Sequence, residues 1–295
     1  MNQATISIQA ILYSISSIYY FKKGDACMED LDLIKNTALT FVKELTSDIG
    51  TLSANEGISI GNIQLSQSAL KWILHSKDSI DIPENQLDEV LDKAAILLSI
   101  VYRDKESLPK IADLIFERHR KGCFNHDLIW AFFEAKDISS LHLIANRLLS
   151  SNQEDVLLAR KLLSFIPEIN NNTALNNKQL YKCFVNWFEE NSLFLHYTGE
   201  SYNMTSTPIP YEVILKAKYL CKPVSVETGQ IIQKITNREY MLLQEFDKLD
   251  HYTQSLLAWF SYKIHHMNRN WWNIWLTYPI SHQIMYANAA IGGIQ

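Results

Sequence analysis

Residues 107–116 and 140–149 carry the same apolar pattern, and this near-repeat constrains the fold more than any other feature of the chain. Ser107-Leu-Pro-Lys-Ile-Ala-Asp-Leu-Ile-Phe116 places Leu108, Ile111, Ala112, Ile115 and Phe116 at i, i+3, i+4, i+7 and i+8. Ser140-Leu-His-Leu-Ile-Ala-Asn-Arg-Leu-Leu149 does the same with Leu141, Ile144, Ala145, Leu148 and Leu149, 33 residues later. That spacing is one stripe of an α-helix, and a stripe recurring at such a period predicts helix pairs stacked side by side. The expected fold class is all-α, an α-solenoid-like stack of antiparallel helix pairs, with an irregular multi-helix bundle as the alternative.

Composition agrees with helix. The 295 residues hold only 9 Gly and 7 Pro, and none of either lies between positions 127 and 166. An all-β chain needs far more turn residues than this. A net charge of −5 gives no global attraction to nucleic acid or anionic lipid. The densest basic run, residues 118–121, falls at the end of a predicted helix, where cations complement the helix dipole. Cys27, Cys123, Cys183 and Cys221 are widely spaced and form no metal-ligand pattern, which predicts reduced thiols in a cytoplasmic protein. Residues 1–20 lack a basic start and an A-x-A site, so they read as a first helix, not a signal peptide. No window approaches 18 unbroken apolar residues, so no transmembrane segment is expected.

Further helices are expected near 4–21, 28–47, 64–76 and 85–103. In the last of these, Leu87, Val90, Leu91, Ala94, Ala95 and Leu98 form one stripe. Residues 50–63 read as a loop, with a short strand allowed by Ile58-Ser-Ile60. Each of the two matched helices is followed by a turn and a second helix containing Asp-x-x-x-Ala: Asp127 to Ala131, and Asp155 to Ala159. Asn125 and Asn152 stand where N-caps belong.

A first helix with a small residue in its stripe, a short turn, then a helix opening Asp-Val-x-x-Ala and continuing Leu-Leu resembles a HEAT-type α-solenoid repeat. Asn152-Gln-Glu-Asp-Val-Leu-Leu-Ala-Arg-Lys-Leu-Leu163 is its best instance. The resemblance covers residues 107–167 with two copies, and it implies that the second helices line an inner surface. The first copy departs from the pattern, with Leu128 and Trp130 around its acidic residue and a longer connector.

After the polar loop at 170–177, Leu180, Cys183, Phe184, Trp187 and Phe188 repeat the five-point stripe. Residues 197–210, rich in Gly, Ser, Thr and Pro, are the longest irregular stretch. They suit an internal boundary within a single elongated helical domain spanning 1–295. Helix is expected again from Tyr211, with long helices near 228–249 and 253–267.

Few constellations carry chemistry. His119, Cys123 and His126 lie close in sequence, but no fourth ligand or matching half-site accompanies them, so they read as loop residues. No phosphate loop, dinucleotide fingerprint or nucleophile elbow occurs, and no cofactor is expected. The most unusual segment is 265–279, which holds His265, His266, Arg269, Trp271, Trp272, Trp275 and Tyr278. Trp271 and Trp275, at i and i+4, suit a packed cap on the helical stack. The same residues are typical anchors of interfaces and pockets.

These features predict a non-enzymatic interaction protein (scaffold, adaptor, immunity-type or regulatory module) that binds a protein partner. The alternative is a helical enzyme or small-ligand-binding protein with a pocket near residues 271–278, whose titratable groups would be His251, His265, His266 and Glu245. A helical stack working on DNA is a weaker rival, opposed by the negative charge and the lack of a basic stripe.

Overall fold

A computed structural model of the chain describes residues 31–46, 63–171 and 174–292. The helix expected at 4–21, the short strand at 58–60 and Cys27 lie outside the described residues. The described chain is mostly helical, with one two-stranded antiparallel hairpin. It divides into two compact units between Ile111 and Ala112.

The first unit packs three helices against one another: α1 (Leu31–Thr46), α2 (Ile63–His75) and α3 (Glu84–Ile96). Five of the six residues in the predicted α3 stripe are buried, from Val90 to Leu98, with Leu87 at the edge. Lys93 of α3 donates to the carbonyl of Leu45 in the last turn of α1, 2.5 Å away, where a cation suits the dipole. α3 runs into a π-helical turn, Leu97–Val101, instead of continuing as α-helix to 103. Asp104 is buried there. It pairs with Lys71 at 2.9 Å and accepts from Gln67 and from the Ser107 amide. Burial opposes its ionisation, but hydrogen bonds from Ser107, Lys71 and Gln67 prevail and hold the carboxyl below the ordinary carboxylate range.

The unit boundary falls inside α4 (Leu108–Arg120), the first of the matched helices. α5 (His126–Glu134) follows it. The second matched segment is a 3₁₀ turn, then α6 (Leu141–Ala145), then a 3₁₀ stretch Asn146–Leu149, and α7 (Gln153–Leu162) follows that. Nine of the ten stripe residues are buried. The exception is Leu149, 48% exposed, because the 3₁₀ stretch advances about 120° per residue and carries position i+8 off the buried face.

Ion pairs join the two hairpins one repeat apart. Arg147 pairs with Asp113 and lies over the Phe116 ring, while Arg120 meets the buried Asp155 at 2.8 Å. Arg118 of the basic run is buried, while Lys121 sits 3.4 Å from Glu117 on the surface. The Asn152 side chain caps α7 by accepting from Glu154 N at 2.9 Å. Asn125 makes no such bond, and instead directs its amide at the Ile115 carbonyl.

Beyond α8 (Pro167–Asn170), α9 (Asn177–Asn191) packs on the 146–149 segment and buries Leu180, Phe184 and Trp187. His142 of α6 sets its ring edge against Phe184 and Phe188.

The expectation of helix from Tyr211 and over 228–249 is corrected here. β1 (Leu195–Tyr197) pairs with β2 (Tyr211–Val213), Tyr197 opposite Tyr211. After the short α10 (Leu215–Tyr219) the chain stays irregular to Thr236, with a bridge between Val224 and Ile231. Residues 228–236 hold three isoleucines and two threonines, whose branched side chains favour extended backbone. Gly229 adopts φ +66, and a Cβ there would come within 3.1 Å of the His196 ring. α11 (Asn237–Phe246) starts only at Thr236, which forms a reciprocal capping box with Glu239. α12 (His251–Met267), α13 (Arg269–Trp275) and α14 (Ile280–Gly292) complete a core built around Tyr219, Phe246, Leu257 and Trp275.

Candidate partner-binding surface

Asn268 fixes the corner between α12 and α13. Its extended backbone ends the first helix, and its side chain caps the second by accepting from Trp271 N at 3.0 Å. Trp272 and Trp275 are buried, whereas Trp271 is half-buried.

A chain of hydrogen bonds makes the inner side rigid. Trp272 Nε1 donates to Ser261 Oγ at 2.7 Å, and Ser261 donates to the Tyr219 carbonyl at 2.6 Å. The Tyr219 hydroxyl donates to Gln283 Oε1 at 2.6 Å, and Gln283 Nε2 donates to the Tyr278 carbonyl at 2.9 Å. Burial pushes the Tyr219 phenol far above its ordinary value, so it stays a donor. Four helices (α10, α12, α13 and α14) are tied together in this way. Trp275 carries no hydrogen bond on Nε1 and packs its ring edge-on against Tyr219 and Phe260, with centroids 5.9 and 5.4 Å apart.

On the outer side, Trp271, Tyr278 and Tyr286 form a three-ring cluster. Tyr278 stacks on Tyr286 at 5.7 Å, and Trp271 meets them edge-on at 6.2 and 5.6 Å. Tyr286 is 38% exposed, Ile274 53% and Met285 57%. No Asp or Glu occurs in residues 251–295, whereas the whole chain is acidic. Lys263 pairs with Glu190 at 2.5 Å, and Arg269 is exposed.

Of the sequence-predicted residues, the structure therefore brings Trp271 and Tyr278 to one surface and puts Trp272 and Trp275 in the core. Trp271, at i−4 from Trp275, packs half-buried against the same core that encloses Trp275. Tyr286 escaped the sequence reading; its signal was an isolated aromatic on the first amphipathic turns after Pro279.

The histidines lie at the corner. His266 Nδ1 is 2.8 Å from the Tyr262 carbonyl. His265 sets its ring 4.7 Å from Trp272 and 5.4 Å from His266, and its buried Nδ1 has no hydrogen-bond partner. Burial first, then His266 and Arg269, hold its pKa below the ordinary 6.5. The unfolded chain takes up this proton as pH falls through 6.5, the folded chain only at lower pH. Stability from this group is complete above that value and declines below it. His265→Gln is expected to flatten part of the fall in Tm between about pH 7 and about pH 5. Superimposable Tm–pH curves for the two proteins would contradict this assignment.

Among the described residues, no three His, Cys, Asp or Glu side chains converge as a metal site. His119 faces Glu154 at 3.7 Å, while His126 stacks on Tyr202 and meets Phe124 at a tilt. Cys123, Cys183 and Cys221 are free, and burial raises the Cys221 thiol to about 12, the reverse of a reactive cysteine. No described helix is long and apolar enough to cross a membrane. A cleft lies away from residues 271–278, between α5, α7 and the segment joining β1 to β2. Trp130, Phe133, Leu162 and Tyr197 line it, and it has room for little more than a water molecule.

No protein-family model, curated protein or solved structure matches the chain.

Proposed function

We propose that this protein acts by binding another protein, as a non-enzymatic adaptor, immunity-type or regulatory module, and that the Trp271–Tyr278–Tyr286 cluster is its contact surface. The observation that carries this reading is three aromatic rings held against one another and partly open to solvent, beside exposed Ile274 and Met285. Large rigid rings lose little conformational entropy on binding, and a surface fixed from beneath by the Ser261–Tyr219–Gln283 chain needs no reordering. The scaffold is read as HEAT-like repeats over residues 107–167. The ion pairs Asp113–Arg147 and Arg120–Asp155, one repeat apart, support that reading, as does α9 packed on the second hairpin. The free cysteines fit a reducing, cytoplasmic setting.

A photo-crosslinking residue placed at position 286, in the cell that makes the protein, tests the assignment. One discrete protein adduct is expected there, and not from exposed Leu157 on α7. The same adducts from both positions, or none from position 286, would overturn it.

A further inference from the structure

Charged residues make up 20% of the chain, yet no Asp, Glu, Lys or Arg occurs between positions 270 and 292. Arg269 opens α13, but it stands two residues before Trp271, about 200° round the helix, and its charge acts on His265. Lys263 of α12 is already paired with Glu190. Apart from the imidazole of His282, the exposed side chains of α13 and α14 beyond Arg269 are neutral, Asn273, Ile274, Met285 and Asn288 among them. A charged partner segment buried against them would find no counter-ion, and an unpaired charge is costly to desolvate.

What this surface does offer is rings and hydrogen-bond donors. Tyr278 and Tyr286 lie nearly parallel, 20° apart, and Trp271 stands across them at 64° and 84°. The ring planes meet steeply, so they form a step instead of a flat sheet. Trp271 Nε1 and the Tyr278 and Tyr286 hydroxyls make no hydrogen bond to any described residue. All three can donate, and the indole N–H can do nothing else. Carbonyl oxygens in a helix or a paired strand are already engaged by backbone amides. In a polyproline II segment they are free, and each proline removes an N–H that would otherwise need an acceptor. Such a segment also seats its rings on aromatic faces and is extended before it binds, so it loses little entropy.

We infer that the partner segment seated on Trp271, Tyr278 and Tyr286 is an uncharged, proline-rich stretch in polyproline II conformation, its carbonyls accepting from the indole and the two phenols. This inference rests on the preceding reading of these rings as the contact surface and names the chemistry of what they contact.

Random dodecapeptides displayed on phage and selected against the full chain provide the test. The peptides that emerge are expected to carry prolines about every three residues, the period of that helix, and few or no charged residues. Binding of the best of them, as a labelled synthetic peptide, should weaken at least about tenfold in Tyr286→Ala. In the double variant Tyr278→Phe with Tyr286→Phe, which keeps both rings and removes both hydroxyls, it should weaken at least about fivefold. Should Tyr286→Ala not melt cooperatively, the double variant alone decides. Peptides that depend on Tyr286 but are charged or lack proline would overturn the inference, while leaving the rings a protein-binding surface. Full affinity in the double variant, or no peptide that depends on Tyr286, would overturn it as well. So would a chain that sediments with phosphatidylcholine vesicles through Tyr286 in place of binding peptides. The crosslink from position 286 judges the contact surface itself, so the two readings fall separately.

Discussion

Replacing Ala145 by aspartate is expected to abolish cooperative folding of the unit that begins at Ala112. Ala145 ends α6 with no exposed surface, and Leu141, Ile144 and Leu148 around it are equally buried. The new carboxylate would lie where the native side chain is a single methyl, in a segment enclosed by α7 and α9. An unpaired buried charge costs about 4 kcal/mol or more, against a total stability of about 5–15 kcal/mol for an ordinary domain. Ala145→Gly, which adds no charge, should cost only about 1 kcal/mol and serves as the control. Thermal unfolding followed by circular dichroism reads both. A melting temperature unchanged by the aspartate would mean that the close contact at α6 is misassigned.

Trp275→Ala should destabilise almost as strongly, by about 3–5 kcal/mol. The ring is fully buried between Tyr219 and Phe260, and its removal leaves a cavity that four helices, joined by hydrogen bonds through Ser261 and Gln283, cannot easily close. Trp271→Ala, four residues earlier on the same short helix, should cost less than about 1 kcal/mol, because that ring is already partly in water. Equal losses for the two substitutions, measured by denaturant unfolding, would contradict the division of this segment into an inner and an outer side.

That division was not readable from the residues. Three tryptophans in five positions announced a special segment, but their orientation depends on the helix break at Asn268, a local cap with little periodic signature. The helical stripes were readable because burial at i, i+3, i+4, i+7 and i+8 is enforced by geometry. α1 and α2 lie within three residues of their expected limits, and the matched stripe is buried at every position but Leu149. Where the geometry changes, the pattern misleads. The 3₁₀ ending of the second copy turned Leu149 outward, and apolar residues at 231, 232 and 235 suggested helix where the chain is extended. Thr236-Asn-Arg-Glu239 carried the true start of α11 as a capping box. The hairpin strands, three residues each, are too short to show alternation, so the cleft behind Tyr197 had no sequence signal, although the irregular stretch at 197–210 did. The basic run at 118–121 does sit at a helix end, in the last turn of α4, and there Arg118 is also buried and Arg120 pairs with Asp155.

The Trp271, Tyr278 and Tyr286 rings, on α13, α14 and the turn between them, are proposed to hold a protein partner while Trp272 and Trp275 hold the fold. The most direct measurement is the affinity of the protein crosslinked from position 286, determined by titration calorimetry for the unmodified chain and for Tyr278→Ala with Tyr286→Ala. A loss of at least about thirtyfold in affinity, with an unchanged melting temperature, is the predicted result. Undiminished affinity in that well-folded variant would contradict it.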